Sequence, residues 1–246
     1  MAGVTAKQAA ARRRVEEERE KRLQQAIAQL PELKQQQERA AKRAGRGKRG
    51  QQIREKELRV STSDPEARVM KMPNGGYNPA VNVQLATDTA SRAIVGVEVS
   101  NAGSDSSGLS EPMRRQVEKR SGRKVEQHLL DGGNVPMEDI ERGHGQGVEP
   151  FVPPKPKRNL ERPGRELEVH AQDSVAVRAW KQRMASAEGQ EIYRQRAATS
   201  ETVNADLRSC RGLTQLTVRG PSKMRCVALW CALAYNVLHF GRALLS

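Results

Sequence analysis

The chain has 246 residues, 36% of them hydrophobic, which is enough for a lean core and argues against a polymer that is disordered throughout. Lys and Arg number 43 against 29 Asp and Glu, and the net charge of +14 favours polyanionic partners, nucleic acid before membrane. No apolar run reaches the ~18 residues that span a bilayer, and three cysteines without metal-binding spacing indicate free thiols in a soluble, intracellular protein.

Residues 1–59 are predicted to form a basic, coiled-coil-like helical segment that ends in a loop. Over residues 1–60 there are 17 Lys and Arg against 8 Glu, a net charge of +9. Apolar residues recur at helical spacings of four and three: Leu23, Ile27, Leu30 and Leu33. Pro31 is expected to break or kink this helix, and RAGRGKRGQQ at 43–52 indicates an exposed basic loop. A solvated helix pair with a loop and a direct contact with DNA fit this segment equally well.

Residues 60–246 have the pattern of an α/β core. Two β-branched runs at 78–90 and 92–101 predict an antiparallel hairpin. A helix at 109–122, a strand in KVEQHLLDGG, a short helix in MEDIERGHG and a short strand in VEPF follow. The predicted order is therefore β-β-α-β-α-β.

The rest of the chain is predicted to be helical after an interruption. A segment rich in Pro, Arg and Glu at about 153–173 indicates a flexible surface insertion. Two helical regions follow at 174–211 and 222–243, and the second is the most apolar part of the chain. We expect it to be a core helix that packs on the sheet.

Two stretches carry candidate chemistry. Asp131 ends the apolar run HLLD before two glycines, where it fits a metal ligand, a turn residue or no function at all. One helix over 192–208 would align four polar side chains on a stripe about 140° wide: Tyr193, Arg196, Glu201 and Arg208. Such a face can hold a metal through its carboxylate while the guanidiniums meet phosphate oxygens. A surface helix with ion pairs is the alternative, and spacing alone favours it.

Taken in order, four blocks of sequence resemble the DDE transposases of bacterial insertion sequences. They cover about residues 60–243: STSDPEARVMKMPNGGYNPAVNVQLATD, IVGVEVSNAGSDSSGLSEPM, LLDGG and IYRQRAATSETVNADLRSCRGLTQLTVRGPSKMRCVALWCALAYNVL. The resemblance implies a ribonuclease-H-like fold, a mixed sheet of strand order 3-2-1-4-5 flanked by helices. It also implies cleavage and joining of DNA at transposon ends by two Mg²⁺ (or Mn²⁺) ions held by two Asp and one Glu.

The resemblance assigns roles to five residues. Asp131 matches the second Asp and Glu201 matches the Glu, so both would be catalytic metal ligands. Tyr193, Arg196 and Arg208 match the helical signature and would contact the backbone of the transposon end. The chain departs from the family at two points, because four residues rather than three separate Arg196 from Glu201 and Arg208 stands where Lys is usual.

The first Asp of the family, which lies on the central first strand, has no counterpart. No Asp precedes Asp64, so we expect a catalytic-core remnant without its first strand, truncated at its N-terminus and inactive alone. Asp88 could substitute, but at a predicted hairpin turn it is more often a turn former. Asp64 and Asp105 are predicted to be loop residues, and His128 a strand residue.

DNA is the partner that the resemblance implies, in a bacterial cytoplasm, with nucleoid association when the protein is bound and no membrane contact. A homo-oligomer or an association with full-length transposase is also expected. A non-catalytic DNA-binding or transposase-associating protein, acting through its helical N-terminus and exposed sheet edges, is the second hypothesis. An RNA-binding protein is the third, and an aromatic content of 3% disfavours it.

Overall fold

A computed structural model describes residues 5–72, 75–101, 110–131, 135–154 and 165–245. They form a mixed α/β protein of helices and small sheets, which agrees with the predicted fold class. The chain divides into two compact units. The first comprises Met1–Val81 and Val218–Ser222, and the second comprises Asn82–Thr217 and Lys223–Ser246.

The first unit is built on a long helix, α1 (Ala6–Ala44), and a short helix, α2 (Lys48–Glu55). A reciprocal capping box between Thr5 and Gln8 starts α1. The helix is continuous through Pro31, so the predicted break is wrong. A proline removes one N–H donor, and the many other hydrogen bonds of this 39-residue helix outweigh that loss. The predicted loop at 43–52 is also wrong in its second half, which is the start of α2.

A β-hairpin that the sequence did not predict also belongs to this unit. It pairs β1 (Arg68–Lys71) with β2 (Tyr77–Ala80). Arg68 hydrogen-bonds Gln29 and lies 3.8 Å from the carboxylate of Glu32, and both partners are on α1. These contacts attach the hairpin to the helical segment, and the first compact unit accordingly extends to Val81.

Asp64 has a structural role in the first unit. Its side chain is buried, and one carboxylate oxygen accepts the backbone N–H of Gly220 at 3.1 Å. Its own backbone N–H donates to the hydroxyl of Ser61. Asp64 is therefore the loop residue that the sequence predicted, and it ties Val218–Ser222 to the unit. Asp105 lies outside the residues that the structure describes.

The second unit has the predicted order of strands and helices. The hairpin of β3 (Asn82–Thr87) and β4 (Ile94–Ser100) is antiparallel, and β5 (Gln127–Leu129) pairs in parallel with β6 (Glu149–Phe151). Helices α3 (Ser110–Ser121) and α4 (Met137–Gly145) lie between them in sequence. The described strands form separate two-stranded sheets rather than one mixed sheet.

Asp88 shapes the turn between β3 and β4. Its carboxylate accepts hydrogen bonds from the backbone N–H of Ser91 at 2.8 Å and from the Ser91 hydroxyl at 2.6 Å. Asp is favoured in such turns because its short side chain bonds the backbone of the next residues. The prediction that Asp88 is a turn former is confirmed.

Side-chain amides cover the outer edge of β4. Asn236 accepts the N–H of Ile94 at 2.9 Å and donates to its carbonyl at 2.8 Å. Gln116 bonds both backbone groups of Val97 in the same way, at 2.8 and 3.2 Å. These amides satisfy groups that a neighbouring strand would otherwise bond, so β4 is a terminal strand of its sheet.

Two hydrophobic clusters form the core of the second unit. One packs α7 (Thr202–Cys210) and α8 (Pro221–Leu245) on β4. Its buried members are Ile94, Val97, Val203, Leu207, Ala228, Cys231, Ala232 and Tyr235. The other surrounds Trp180 of α5 (Val175–Ala185), whose indole N–H donates to the carbonyl of Val152 at 3.0 Å. The predicted core role of α8 is thus confirmed for one of its faces.

The predicted flexible insertion at about 153–173 is described only in part, since residues 155–164 lie outside the description. Its second half holds a short 3₁₀ turn, Arg165–Leu167. Asp173 pairs with Lys181 of α5 at 2.7 Å, and both side chains are nearly buried. Hydrogen bonds from the His170 backbone N–H and from Lys181 lower the pKa of the Asp173 carboxyl. Residues 165–173 are therefore anchored to α5. None of the described helices is both long and apolar enough to cross a membrane.

We expect Asn236→Ala to lower the free energy of unfolding by about 2 kcal/mol, because it leaves two backbone groups of β4 without partners. Urea denaturation followed by circular dichroism measures this. Asn204→Ala removes an exposed helical Asn from α7 and should change stability by less than about 0.5 kcal/mol. Equal effects of the two substitutions would contradict the role of Asn236.

Candidate functional site

Four of the five predicted site residues lie on a helical stretch that was predicted from the sequence to be one regular helix. Helix α6 (Ala187–Arg196) leads into a π-helical turn, Ala197–Glu201, and then into α7. The backbone stays in the right-handed helical region across both junctions. A π-turn takes in one residue more than an α-helical turn, so the angular positions predicted for a regular helix apply only as far as Arg196.

Three of the five predicted residues meet at the end of β5. The carboxylate of Asp131 lies 3.0 Å from the guanidinium of Arg196. That guanidinium lies 6.0 Å from the centre of the Tyr193 ring. Burial raises the pKa of the Tyr193 phenol, and the Asp131 charge adds to this while Arg196 opposes it. The phenol is therefore a protonated hydrogen-bond donor at neutral pH.

The Asp131–Arg196 pair is open to solvent on its acidic side. The Asp131 side chain is 61% exposed and that of Arg196 is 20% exposed. An ion pair at such a surface stabilises a fold by ~0–1 kcal/mol. The pair affects metal binding, because the positive guanidinium offsets the negative charge with which Asp131 would bind a metal ion.

Glu201 is the last residue of the π-turn and Arg208 lies on α7, and both are exposed. Counted at ~100° per residue with one residue taken up by the π-turn, they lie within roughly 60° of Tyr193 and Arg196 around the helix axis. The uninterrupted helix would spread the four over about 140°. The π-turn thus takes up the additional residue between Arg196 and Glu201, and Glu201 stays on the same side of the helix as Tyr193 and Arg196.

Thr199 stabilises the π-turn. It is buried, and its hydroxyl lies 2.9 Å from the carbonyl of Gln195 and 3.2 Å from that of Arg196. Carbonyls in a π-turn bond N–H groups five rather than four residues on, and this hydroxyl is an additional donor to two carbonyls at the start of the turn. Thr202 bonds the carbonyl of Ala198 at 3.0 Å from an exposed position. Thr199 was not among the residues predicted from the sequence, although the additional residue in this stretch was the available signal.

The described residues do not fit the metal pair that the resemblance implies. No three His, Cys, Asp or Glu side chains in the described ranges are arranged to hold an ion. Asp131 is engaged by a cation, and Glu201 is exposed on the π-turn. Two-metal chemistry uses several carboxylate oxygens around two ions ~4 Å apart, and these two acids do not provide that set.

A small polar cavity lies beside β5. It measures about 40 Å³ and is lined by, among others, Glu111, Arg114, His128 and Arg142. Burial, with a contribution from Arg114, lowers the pKa of His128 to about 4, so this strand residue is neutral at physiological pH. A volume of this size holds water and excludes a nucleotide.

Residues 155–240 match the family model described as a transposase DDE domain. Over this segment, about a third of the chain, the sequence is similar to transposase DDE domains. This confirms the resemblance to DDE transposases drawn from the sequence. Tyr193, Arg196, Glu201 and Arg208 lie within the matched segment of the domain, whereas Asp131 lies outside it. Comparison with curated proteins and with solved structures gives no match.

We expect Thr199→Val to cost about 1 kcal/mol of unfolding free energy, because the partly buried hydrogen bonds of its hydroxyl to two carbonyls are lost. Thr202→Val removes a comparable hydroxyl bond where water can replace it, and we expect a smaller cost. Urea denaturation of both variants measures the difference. A Thr202→Val cost equal to or above that of Thr199→Val would contradict the role assigned to Thr199.

Proposed function

We propose that this chain is a DDE transposase-family protein of a bacterial insertion sequence, that it binds DNA, and that it does not cut or join DNA by itself. The observation that carries this proposal is the composition of the stripe on α6 and α7. It presents a phenol and two guanidiniums in a DDE domain, whereas one of the two expected metal ligands is ion-paired with Arg196. The group suits phosphate binding better than two-metal catalysis.

The strand pairing supports the proposal that a central strand is missing. In the order 3-2-1-4-5, strand two pairs with strand three and strand four with strand five, as β3 pairs with β4 and β5 with β6. Side chains cover the outer edge of β4, which agrees with its place at the end of the sheet. Residues 60–246 are accordingly proposed to derive from the catalytic core, and residues 1–59 from a helical insertion.

The proposed location in the cell follows from DNA as the proposed partner. A protein with a charge of +14 and a DDE domain would act on DNA in the bacterial cytoplasm and associate with the nucleoid. Binding would be largely electrostatic, because Arg196 and Arg208 contact phosphate oxygens rather than base edges. Mg²⁺ or Mn²⁺, the family's cofactors, would not be required for this binding.

We expect Arg196→Gln with Arg208→Gln to weaken binding of a duplex DNA about tenfold at 100 mM salt. The slope of log affinity against log salt should fall by about 2, because two phosphate contacts are lost. Fluorescence anisotropy over a salt series measures both quantities. Arg194→Gln with Arg115→Gln removes the same charge from exposed, ion-paired positions and is the matched control. Equal effects of the two double variants would contradict a DNA-contacting stripe.

A second candidate function is favoured by the outward face of α8. This face exposes several large apolar side chains: Leu229, Trp230, Leu233, Val237 and Leu238. Trp230 is 67% exposed and Leu238 is 70% exposed. Residues 226–241 contain no Asp, Glu, Lys or Arg. Contiguous exposed apolar surface of this kind marks protein interaction sites, and a neutral face lets two highly basic chains meet without repulsion.

We propose that a second copy of the chain binds this face. Such self-association would make the chain an associating protein in the transposition apparatus. Light scattering during gel filtration should give twice the 27.3 kDa mass of one chain at micromolar concentration. Trp230→Glu should restore the single-chain mass, whereas Val175→Glu, at an equally exposed but isolated apolar position, should not. A single-chain mass for the unaltered protein would rule out this candidate.

A further inference from the structure

The first unit has a concentrated positive surface at the junction of its two helices. The segment from Lys42 to Lys56, here called the basic hairpin, contains one acid, Glu55, and seven cations. The seven are all exposed: Lys42, Arg43, Arg46, Lys48, Arg49, Arg54 and Lys56. The local net charge is +6 over 15 residues, so this segment holds much of the positive charge of the unit.

Three of the other basic residues of the same unit are ion-paired, unlike these cations. Arg22, Arg59 and Arg68 each form an ion pair with a nearby Glu. In the part of the chain that the structure describes, none of the seven cations of the basic hairpin forms an ion pair. Surface charges are usually dispersed among charges of opposite sign, because like charges repel and lower stability. The basic hairpin therefore has uncompensated charge that an external polyanion can neutralise.

Backbone packing gives the basic hairpin a defined shape. A Cβ on Gly50 would lie 1.9 Å from the carbonyl oxygen of Gly45 and 3.3 Å from that of Ala41. Only glycine permits that approach, and Gly45 itself has a positive φ of 80° at the end of α1. The side-chain amide of Gln37 donates to the carbonyl of Ile53 at 2.8 Å and also to that of Lys56. The two helices are thus held together at the tip and at the end of α2.

The composition of the basic hairpin identifies the class of polyanion. It has no aromatic residue on which single-stranded bases could stack. Its one large apolar residue, Ile53, is half-buried, so it has no apolar face to insert into a lipid surface. The eight residues of α2 extend ~12 Å, which corresponds to about three phosphates along one strand of a duplex.

We propose that the basic hairpin is a docking surface for the phosphate backbone of duplex DNA. This inference rests on the proposed DNA-binding function and adds a surface in the first unit to the stripe on α6 and α7. Binding is through phosphates and independent of sequence, because phosphate contacts carry no direct sequence information. The folded hairpin, rather than its charge alone, forms the surface.

The test measures duplex DNA binding by the full chain over a series of salt concentrations. Arg46→Gln, Lys48→Gln and Arg49→Gln together should lower affinity at least tenfold at 100 mM salt and reduce the salt slope by about 2.7. The matched control is the triple change of Arg12, Arg13 and Arg14 to Gln, which removes equal charge from exposed positions near the acids of α1. It should have less than half the effect, and equal effects of the two triple variants would overturn the proposal.

A second pair of variants keeps every charge. Gly50→Ala should weaken DNA binding because its Cβ forces the helices apart, whereas Gly47→Ala, with nothing within 4 Å of its Cβ, should not. Indistinguishable binding by these two variants would overturn the claim that the folded hairpin is the surface.

Two further results separate this inference from the proposed function. If DNA binding depends on Arg196 and Arg208 but not on the basic hairpin, the inference fails and the proposed function stands. If the unaltered chain binds no DNA, both fail. Duplex RNA of equal length, bound at least tenfold more tightly through the same residues, would overturn DNA as the ligand.

Discussion

The second unit depends on the way two side-chain amides hold the outer edge of β4. Asn236 and Gln116 each bond both backbone groups of one residue in this strand. The strand is thereby fixed against α3 and α8, and its residues Ile94 and Val97 enter the hydrophobic cluster. Val203 and Leu207 of α7 pack in the same cluster. The position of α7, and with it the π-turn that carries Glu201, therefore follows from how β4 is bonded.

The site shows how the same residue types can serve different chemistry when their neighbours change. An Asp at a strand end and a Glu on a helix suit metal ions when further carboxylates surround them. Here a guanidinium neutralises Asp131 at 3.0 Å, and Glu201 is exposed on the π-turn. On this ground we propose that the arrangement binds a phosphate backbone rather than activating water or a hydroxyl. The basic hairpin of the first unit is proposed to be a second surface whose positive charge attracts DNA phosphates.

Patterns of neighbouring residues in the sequence predicted the structural features that depend on short-range interactions along the chain. The alternation of apolar residues gave the order of strands and helices in the second unit, and turn chemistry gave the role of Asp88. The resemblance identified a group that meets in space, Asp131, Arg196 and Tyr193, although Asp131 is 62 residues from Tyr193 in sequence. This pairing was reachable only through known relatives, because spacing alone favoured an ordinary surface helix.

The features that escaped prediction depend on contacts between distant parts of the chain. Helix α2 forms in a segment with one large apolar residue because Gly50 lets it pack on the backbone of α1. The β1–β2 hairpin joins the first unit through contacts of Arg68 with α1. The π-turn depends on a hydroxyl of Thr199 that bonds carbonyls in its own helix. Neither the amino-acid composition nor the spacing of apolar residues predicts these side-chain and backbone contacts.

We propose above that this chain, which is similar to transposase DDE domains over residues 155–240, binds DNA without cutting it. Incubation of the purified chain with supercoiled plasmid DNA in the presence of Mg²⁺ or Mn²⁺ tests it most directly. We expect the plasmid to be retarded in gels by binding and to stay supercoiled after the protein is removed, at the level of a protein-free control. Metal-dependent nicking that Asp131→Ala abolishes would contradict the account.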